Sequence, residues 1–288
     1  MWKRRSTGFF VAAPAIMFWL VSCSFGPAPP KMGTPEWYWA AANEQFNKGD
    51  LVKTQEHLEK IMASDNPFKH RATTWHLVVL AGMAHGYKAL AEAYDAGEKQ
   101  SQTQAVEFRR VVNDMQRLSR QYSMGLAQGV DRLQKESVAA QQLTLEFPFP
   151  HGNQVESVTL DRARKGIFPS EAERESAERW TVARGVMQET ASAVGAGTDT
   201  AKAAEMFKTQ PVEVPRAVFL LGVGDSLYEQ SAIFDRRKLN EPDKKKLLLE
   251  MASDCLKPAA ESDDQNLKKK AKDLQAKIEK DQKALPKG

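Results

Sequence analysis

The segment EWYWAAANEQFNKGDLVKTQEHLEKIMASDNP, residues 36–67, decides the fold class. Apolar residues recur at helical spacing on both sides of a Gly-Asp pair. Gly49 suits the left-handed C-terminal cap of one helix, and Asp50 suits the N-terminal cap of the next. Asn66-Pro67 then ends the second helix, because proline cannot continue it. The segment therefore predicts a helical hairpin with a tight turn.

This hairpin resembles a tetratricopeptide repeat. The matching features are an early aromatic residue, small residues where the helices cross, Gly-Asp in the turn, a large apolar residue in the second helix and a closing proline: Tyr38, Ala41, Ala42, Gly49, Asp50, Leu58 and Pro67. The proline stands one place late, and Gln45, Thr54 and Ile61 replace an aromatic residue and two small alanines. The resemblance implies an α-solenoid of stacked hairpins. A generic helical hairpin is the alternative, since about three repeats are needed for a stable array.

Helical spacing of apolar residues continues along most of the chain. It predicts helices over residues 70–96, 104–142, 170–194, 200–208, 215–234 and 243–256, and a last one from Ser262 onward. Gly97 is the predicted end of the first, and Ser170 with Glu173 forms a capping box at the start of the third. We therefore expect an all-α fold. Its predicted regions are a tetratricopeptide-like helical region over 36–142, a second helical region over 170–261 and a Lys-rich C-terminal helix over 262–288.

A weak internal repeat relates the helix at 70–96 to the one at 215–234. At a separation of 140 residues the identical pairs are Val78 and Val218, Leu80 and Leu220, Gly82 and Gly222, and Asp95 and Asp235. The repeat agrees with the reuse of helical hairpins, in which each unit buries its apolar face on a neighbour.

The stretch LTLEFPFPHGNQVESVTL, residues 143–160, interrupts the helical pattern. Apolar residues alternate with period two at its two ends, at Leu143, Leu145, Phe147, Val158 and Leu160. With His151-Gly152-Asn153 between the two runs, we predict a short β-hairpin or an extended segment, within an insertion over 143–169. This least helical region is a candidate binding loop, and an ordered connector is the alternative.

The N-terminus has the features of a secretory signal. Lys3-Arg4-Arg5 is followed by an apolar run from Gly8 to Leu20. That run is shorter than the roughly 20 apolar residues that a membrane-spanning helix needs, and Pro14 interrupts it. We therefore predict that residues 1–22 are a signal peptide.

The end of this signal, Leu20-Val21-Ser22-Cys23, resembles the signal of bacterial lipoproteins. The resemblance implies cleavage before Cys23 and attachment of diacylglycerol to its thiol, which anchors the protein in a membrane. Ser24 resembles the outer-membrane sorting default of that family, so the implied location is the cell envelope, on the periplasmic side of the outer membrane. Residues 23–35, rich in Pro and Gly, read as a flexible tether. An uncleaved anchor or a non-lipidated secretion signal is the alternative.

The charge and the cysteine content argue against nucleic-acid binding and against a fold held by disulfide bonds. The net charge is +4, and three of the bases lie in the predicted signal. Residues 267–288 hold eight lysines against three acids, so the remaining basicity is that of the tail. Overall charge therefore does not predict nucleic-acid binding. Only Cys255 remains after Cys23, which predicts a buried structural thiol and a fold that rests on its core.

The sequence contains no recognisable catalytic, cofactor or metal motif. Gly222-Val223-Gly224 lies inside an apolar helix, where the glycines are expected to permit close helix packing. His76 and His85 are nine residues apart and fall on opposite faces of a helix, so they are poor joint metal ligands. The carboxylates of Glu171, Glu173, Glu175 and Glu178 suit a solvated helix start. We therefore expect a protein that is not an enzyme.

Two functions remain. The first is a lipid-anchored envelope scaffold that resembles tetratricopeptide-repeat lipoproteins and holds a protein partner. The second is a small-molecule-binding lipoprotein associated with periplasmic transport, in which Trp75, Tyr87 and Trp180 line a pocket. An envelope enzyme with a dispersed site is a third reading that no motif favours.

Overall fold

The fold is built almost entirely from helices, as predicted. A computed structural model describes residues 30–136, 140–150, 157–235 and 241–286. Within these ranges the helices are α1 (Pro35–Asn47), α2 (Leu51–Met62), α3 (Lys69–Gln100), α4 (Ala105–Glu136), α5 (Ser157–Arg164), α6 (Glu171–Ala193), α7 (Thr200–Met206), α8 (Arg216–Ser231), α9 (Pro242–Ala260) and α10 (Gln265–Lys283). A 3₁₀ turn (Ala232–Asp235) follows α8, and the strands are β1 (Gln142–Leu145) and β2 (Val212–Pro215).

Three of the pairs of consecutive helices that pack together are α1 with α2, α3 with α4, and α8 with α9. The hairpin expected at residues 36–67 is therefore present, and so is the one that starts at the second copy of the internal repeat. All three belong to one continuous core of buried apolar side chains, which runs from Ala42 to Ile278.

Helix α3 is the centre of the molecule. It packs along α4 and α6, and it also contacts α2, α5 and α8. Its 32 residues form the longest apolar helix surface, with buried side chains from Ala72 to Tyr94. Helix α3 therefore holds together the helices that surround it.

The predicted end of α3 at Gly97 is wrong. The helix continues to Gln100, and Gly97 lies inside it. A Cβ at this position would stand 2.2 Å from the carbonyl oxygen of Ala163 and 2.4 Å from the ring of Phe108. Gly97 therefore permits α5 and α4 to approach α3, and packing rather than helix termination explains the residue.

The segment after α4 is extended, but the predicted pairing within 143–160 is wrong. Strand β1 pairs antiparallel with β2, with Leu143 opposite Val214 and Leu145 opposite Val212. Val158 and Leu160 are helical and belong to α5, which turns Leu160 and Ala163 inward and leaves Val158 exposed. The strand thus has a partner about 70 residues away, and the turn predicted at 151–153 lies outside the described residues.

The Lys-rich C-terminal helix packs on α9 and α8. Its inner face is the apolar stripe of Ala271, Leu274 and Ile278, and most of its lysines are exposed. It covers part of the core with a polar outer face, as the terminal units of repeat proteins do. In the described part of the chain, no helix is long and apolar enough to span a bilayer.

Candidate functional site

A cleft lies where the α1–α2 turn faces α3 and α6, and we call it the turn cleft. Its volume is about 720 Å³. The turn supplies Lys48–Lys53 on one side, α3 supplies the floor, and α6 supplies the opposite wall. The floor and wall residues are Met83, Tyr87, Glu175, Glu178, Arg179 and Val182.

The turn that borders the cleft is fixed by its own sequence. Gly49 adopts a φ of +76°, a conformation that costs glycine little. The amide of Asp50 donates to the carbonyl of Gln45, and that of Gly49 donates to Phe46, both at 2.9 Å. This pair of backbone hydrogen bonds is the pattern that ends a helix at a C-terminal glycine. Asp50 then caps α2 by accepting a hydrogen bond from the amide of Lys53, so both predicted caps are confirmed.

The α6 wall is positioned by the predicted capping box. The hydroxyl of Ser170 accepts from the amide of Glu173, and the Glu173 carboxylate accepts from the amide of Ser170. Because residues three and four apart share a helix face, Glu175, Glu178 and Arg179 all point to the same side of α6.

A tyrosine and a carboxylate meet at the floor. The Tyr87 hydroxyl donates a hydrogen bond of 3.0 Å to Oε1 of Glu178, and its ring stacks on Tyr122 of α4 at a centroid distance of 5.6 Å. Burial, with Glu178 adding to it, raises the pKa of Tyr87 above its usual value. The phenol therefore stays protonated and acts as a fixed donor rather than as a proton-transfer group.

The cationic side chains around the cleft differ in whether they form ion pairs. Lys48 forms an ion pair with Glu44, and Lys53 forms one with Asp50. Within the described residues the guanidinium of Arg179 has no hydrogen bond, ion pair or aromatic contact. Its stem passes the turn, since a Cβ on Gly49 would lie 3.9 Å from its Cγ and Cδ atoms. Arg179 is therefore an exposed positive charge at the rim of the cleft.

An apolar pocket adjoins the turn cleft on the other side of Arg179, and we call it the Trp180 pocket. Its volume is about 210 Å³. Lys48, Gly49, Leu51 and Arg179 line both spaces, so the two are continuous across that rim. Its apolar walls are Phe46, Phe149, Pro150, Trp180, Ala183 and Val186. Trp180 is itself partly exposed.

The structure separates the three aromatic residues that the sequence grouped as pocket-lining. Tyr87 lines the turn cleft and Trp180 lines the adjoining pocket. Trp75 is fully buried and stacks on Phe147, so it is a core residue. Cys23, the predicted lipidation site, lies outside the described residues.

The remaining titratable candidates take structural positions. Nε2 of His76 lies 3.6 Å from Glu59, and Nδ1 of His85 lies 3.0 Å from Glu189, so the two histidines contact different carboxylates. Cys255 is buried as predicted, and burial raises the pKa of its thiol to about 12. Among the described residues, no group of three or more His, Cys, Asp or Glu side chains is arranged to hold a metal ion.

Sequence reasoning missed part of the site. Glu178 was grouped with solvated carboxylates, but it is only partly exposed and accepts a hydrogen bond from Tyr87. The partners are 91 residues apart, and no local pattern connects them. Arg179 was not singled out either. The available signal was its place beside Trp180, since tryptophan and arginine together are frequent in binding hot spots.

Comparisons with known proteins add no relative from which a role could be taken. No protein-family model matches the chain, and no match is found among curated proteins or solved structures.

Proposed function

We propose that this chain is a lipid-anchored cell-envelope protein that acts as a scaffold for a protein partner. Cys23 provides the anchor, in the outer membrane and facing the periplasm, and the turn cleft with the Trp180 pocket provides the binding surface. The observation that carries the proposal is the pairing of a partly exposed Trp180 with Arg179, which has no partner among the described residues, between a polar cleft and an apolar pocket.

This arrangement matches the physical requirements of a protein-binding surface. Interface energy is concentrated in a few residues, with Trp, Tyr and Arg enriched among them. Here Trp180 offers apolar area, Arg179 offers a rigid fork of donors, and Tyr87 forms part of the floor of the turn cleft. The surrounding α3 and α6 are long, packed helices, so the surface is held in place before a partner arrives.

The small size of the Trp180 pocket and the charged lining of the turn cleft favour a protein over a small molecule. Small-molecule sites are typically concave, largely apolar cavities of about 300–1,000 Å³. The apolar Trp180 pocket, at about 210 Å³, is below that range. The turn cleft is large enough at about 720 Å³, but charged side chains of the turn and of α6 form much of its lining. A small-molecule-binding lipoprotein associated with periplasmic transport is therefore the second candidate.

Site-specific photo-crosslinking in the native cells tests the proposal. A benzoylphenylalanine at position 175, in the cleft wall, is compared with one at position 184, where Arg184 is exposed on the same helix and outside the cleft. We expect capture of one identified envelope protein from position 175 and not from position 184. A Cys23→Ser chain should lose most of that capture, because the protein would no longer be held at the membrane.

Two results would contradict the proposal. Equal capture from both positions would show that the cleft is not the contact surface. Absence of any captured protein, together with a small molecule retained by the purified chain in native mass spectrometry, would favour the second candidate.

A further inference from the structure

Resting on the proposed function, we infer that the partner presents an apolar side chain beside a carboxylate. The apolar side chain fills the Trp180 pocket, and the carboxylate binds the guanidinium of Arg179 at the rim. The inference assigns a ligand chemistry to the surface, namely a peptide segment in which an acidic residue lies next to a large apolar one.

The volume of the Trp180 pocket sets the size of the apolar group. An apolar protein cavity of about 150 Å³ accepts a benzene molecule and stays dry without it. At about 210 Å³, the Trp180 pocket therefore has room for one aromatic or branched side chain and not for several. Its walls include Phe46, Trp180 and Val186, which provide the contacts that such a group needs.

The charge at the rim sets the neighbouring group. Arg179 lines both the cleft and the pocket, and its guanidinium is unpartnered within the described part of the chain. The nearby Lys48 and Lys53 are paired with acids of this chain, so they compete less for an incoming anion. Guanidinium and carboxylate form two parallel hydrogen bonds when the geometry allows it, which gives direction as well as attraction. The cationic rim thus selects a carboxylate next to the buried side chain.

Peptide selection on the purified full-length chain tests this chemistry. The probe is a phage-displayed library of random peptides of about ten residues, which at about 3.3 Å per residue can cross both spaces. We expect enrichment of Asp or Glu within two positions of Phe, Trp, Leu or Ile. An Arg179→Glu chain should instead enrich Lys or Arg beside the apolar residue, because the charge at the rim is reversed.

Matched variants separate binding from folding. Arg184→Glu reverses a charge of the same type on the exposed side of α6 and should leave the selection unchanged. For a synthetic copy of an enriched peptide, we expect Trp180→Ala to weaken binding about 30-fold, as for an interface hot spot. Trp180→Phe keeps an aromatic ring in the pocket and should recover most of the affinity. Circular dichroism of each variant verifies that the helical fold is retained.

The inference is overturned if the native chain enriches no peptides, if the enriched peptides lack the acidic residue, or if Arg179→Glu leaves the preference unchanged. These failures are distinct from failure of the proposed function. Photo-capture of an envelope protein from position 175 without an acidic preference would reject only the ligand chemistry. Absence of capture would reject the scaffold itself.

Discussion

Gly82 and Gly185 meet where α3 crosses α6, and a Cβ on Gly185 would lie 2.2 Å from the carbonyl oxygen of Gly82. A Cβ on Gly82 would in turn lie 2.3 Å from Cα of Val186. Both distances are far below van der Waals contact, so the two backbones touch without intervening side chains. This close crossing brings the α6 wall next to the α3 floor of the turn cleft.

The internal repeat places a second glycine against the same helix. Gly222 of α8 is the counterpart of Gly82, and a Cβ on it would lie 2.8 Å from the carbonyl oxygen of Ser192. Helix α6 is therefore contacted closely at two levels by the two related helices. Of the identical pairs in the repeat, Gly82 and Gly222 have the same structural role, since each permits close packing against α6. This shared role gives a physical explanation for part of the weak sequence repeat.

Substitution of Gly185 by alanine should therefore destabilise the fold. The added methyl group meets backbone atoms that cannot rotate away, so the helices must separate, at a cost of about 1–3 kcal/mol or more in unfolding free energy. Gly125→Ala in α4 is the matched control, because its Cβ would meet only the flexible end of Leu80 at 3.3 Å. Since alanine favours helix by about 1 kcal/mol, this control should be neutral or stabilising. Equal losses in urea unfolding would contradict the crossing.

Local signals in the sequence predicted most of the helices and their caps. Gly49, Asp50 and the Ser170 capping box depend on residues within one turn, so their chemistry is visible in the sequence alone. Features that depend on distant partners could not be predicted in this way. Strand β1 forms by pairing with Val212 and Val214, which are distant in sequence. Gly97 is required because the backbone of Ala163 packs against it.

The same limit applies to the candidate site. Tyr87 and Trp180 were named from the sequence as possible pocket residues, and both line the site. Trp75 does not line the site, because Phe147 stacks on it in the core. No local sequence pattern predicts this contact. Arg179 is part of the site because the tertiary fold places the α1–α2 turn beside it, and the sequence alone does not show this contact.

The stability of the protein should depend on His85 near neutral pH. The hydrogen bond to Glu189 raises the pKa of His85, burial opposes it, Glu229 raises it further and Lys88 lowers it. Because the pKa is raised in the folded state, the contribution is fully present below the free-histidine value of about 6.5 and is lost as pH rises through the folded value.

We therefore expect the urea midpoint to fall from about pH 6 to about pH 8, and His85→Gln to remove part of that fall. Comparison of the two chains at each pH separates the contribution of His85 from that of the ionisable groups that both chains share. A native chain and a His85→Gln chain with the same pH dependence would contradict the prediction.

The packing of the extended segment that follows β1 should depend on the side chain of Phe147. Its ring is 1% exposed and stacks on Trp75 with the centroids 5.4 Å apart and the planes 7° from parallel. Phe147→Ala leaves a cavity beside Trp75 and should lower the unfolding free energy by about 3–5 kcal/mol. Phe149→Ala is the control, because Phe149 is only partly buried and its ring meets that of Phe207 at a centroid distance of 5.5 Å. A loss for Phe149→Ala as large as that for Phe147→Ala would show that the stack is not the anchor.

The Cys255 thiol should be unreactive in the folded protein. Cys255 is fully buried, a Cβ added to Gly224 would lie 3.0 Å from its own Cβ, and burial raises the pKa of its thiol to about 12. In a Cys23→Ser chain it is the only cysteine, so a disulfide reagent such as dithionitrobenzoate reports on it alone. Reaction requires opening of the α8–α9 packing, so at pH 8 we expect modification roughly a thousandfold slower than for the same chain unfolded in urea. Rapid release of one equivalent of thionitrobenzoate from the native chain would instead place the thiol in solvent and contradict the close contact between α8 and α9.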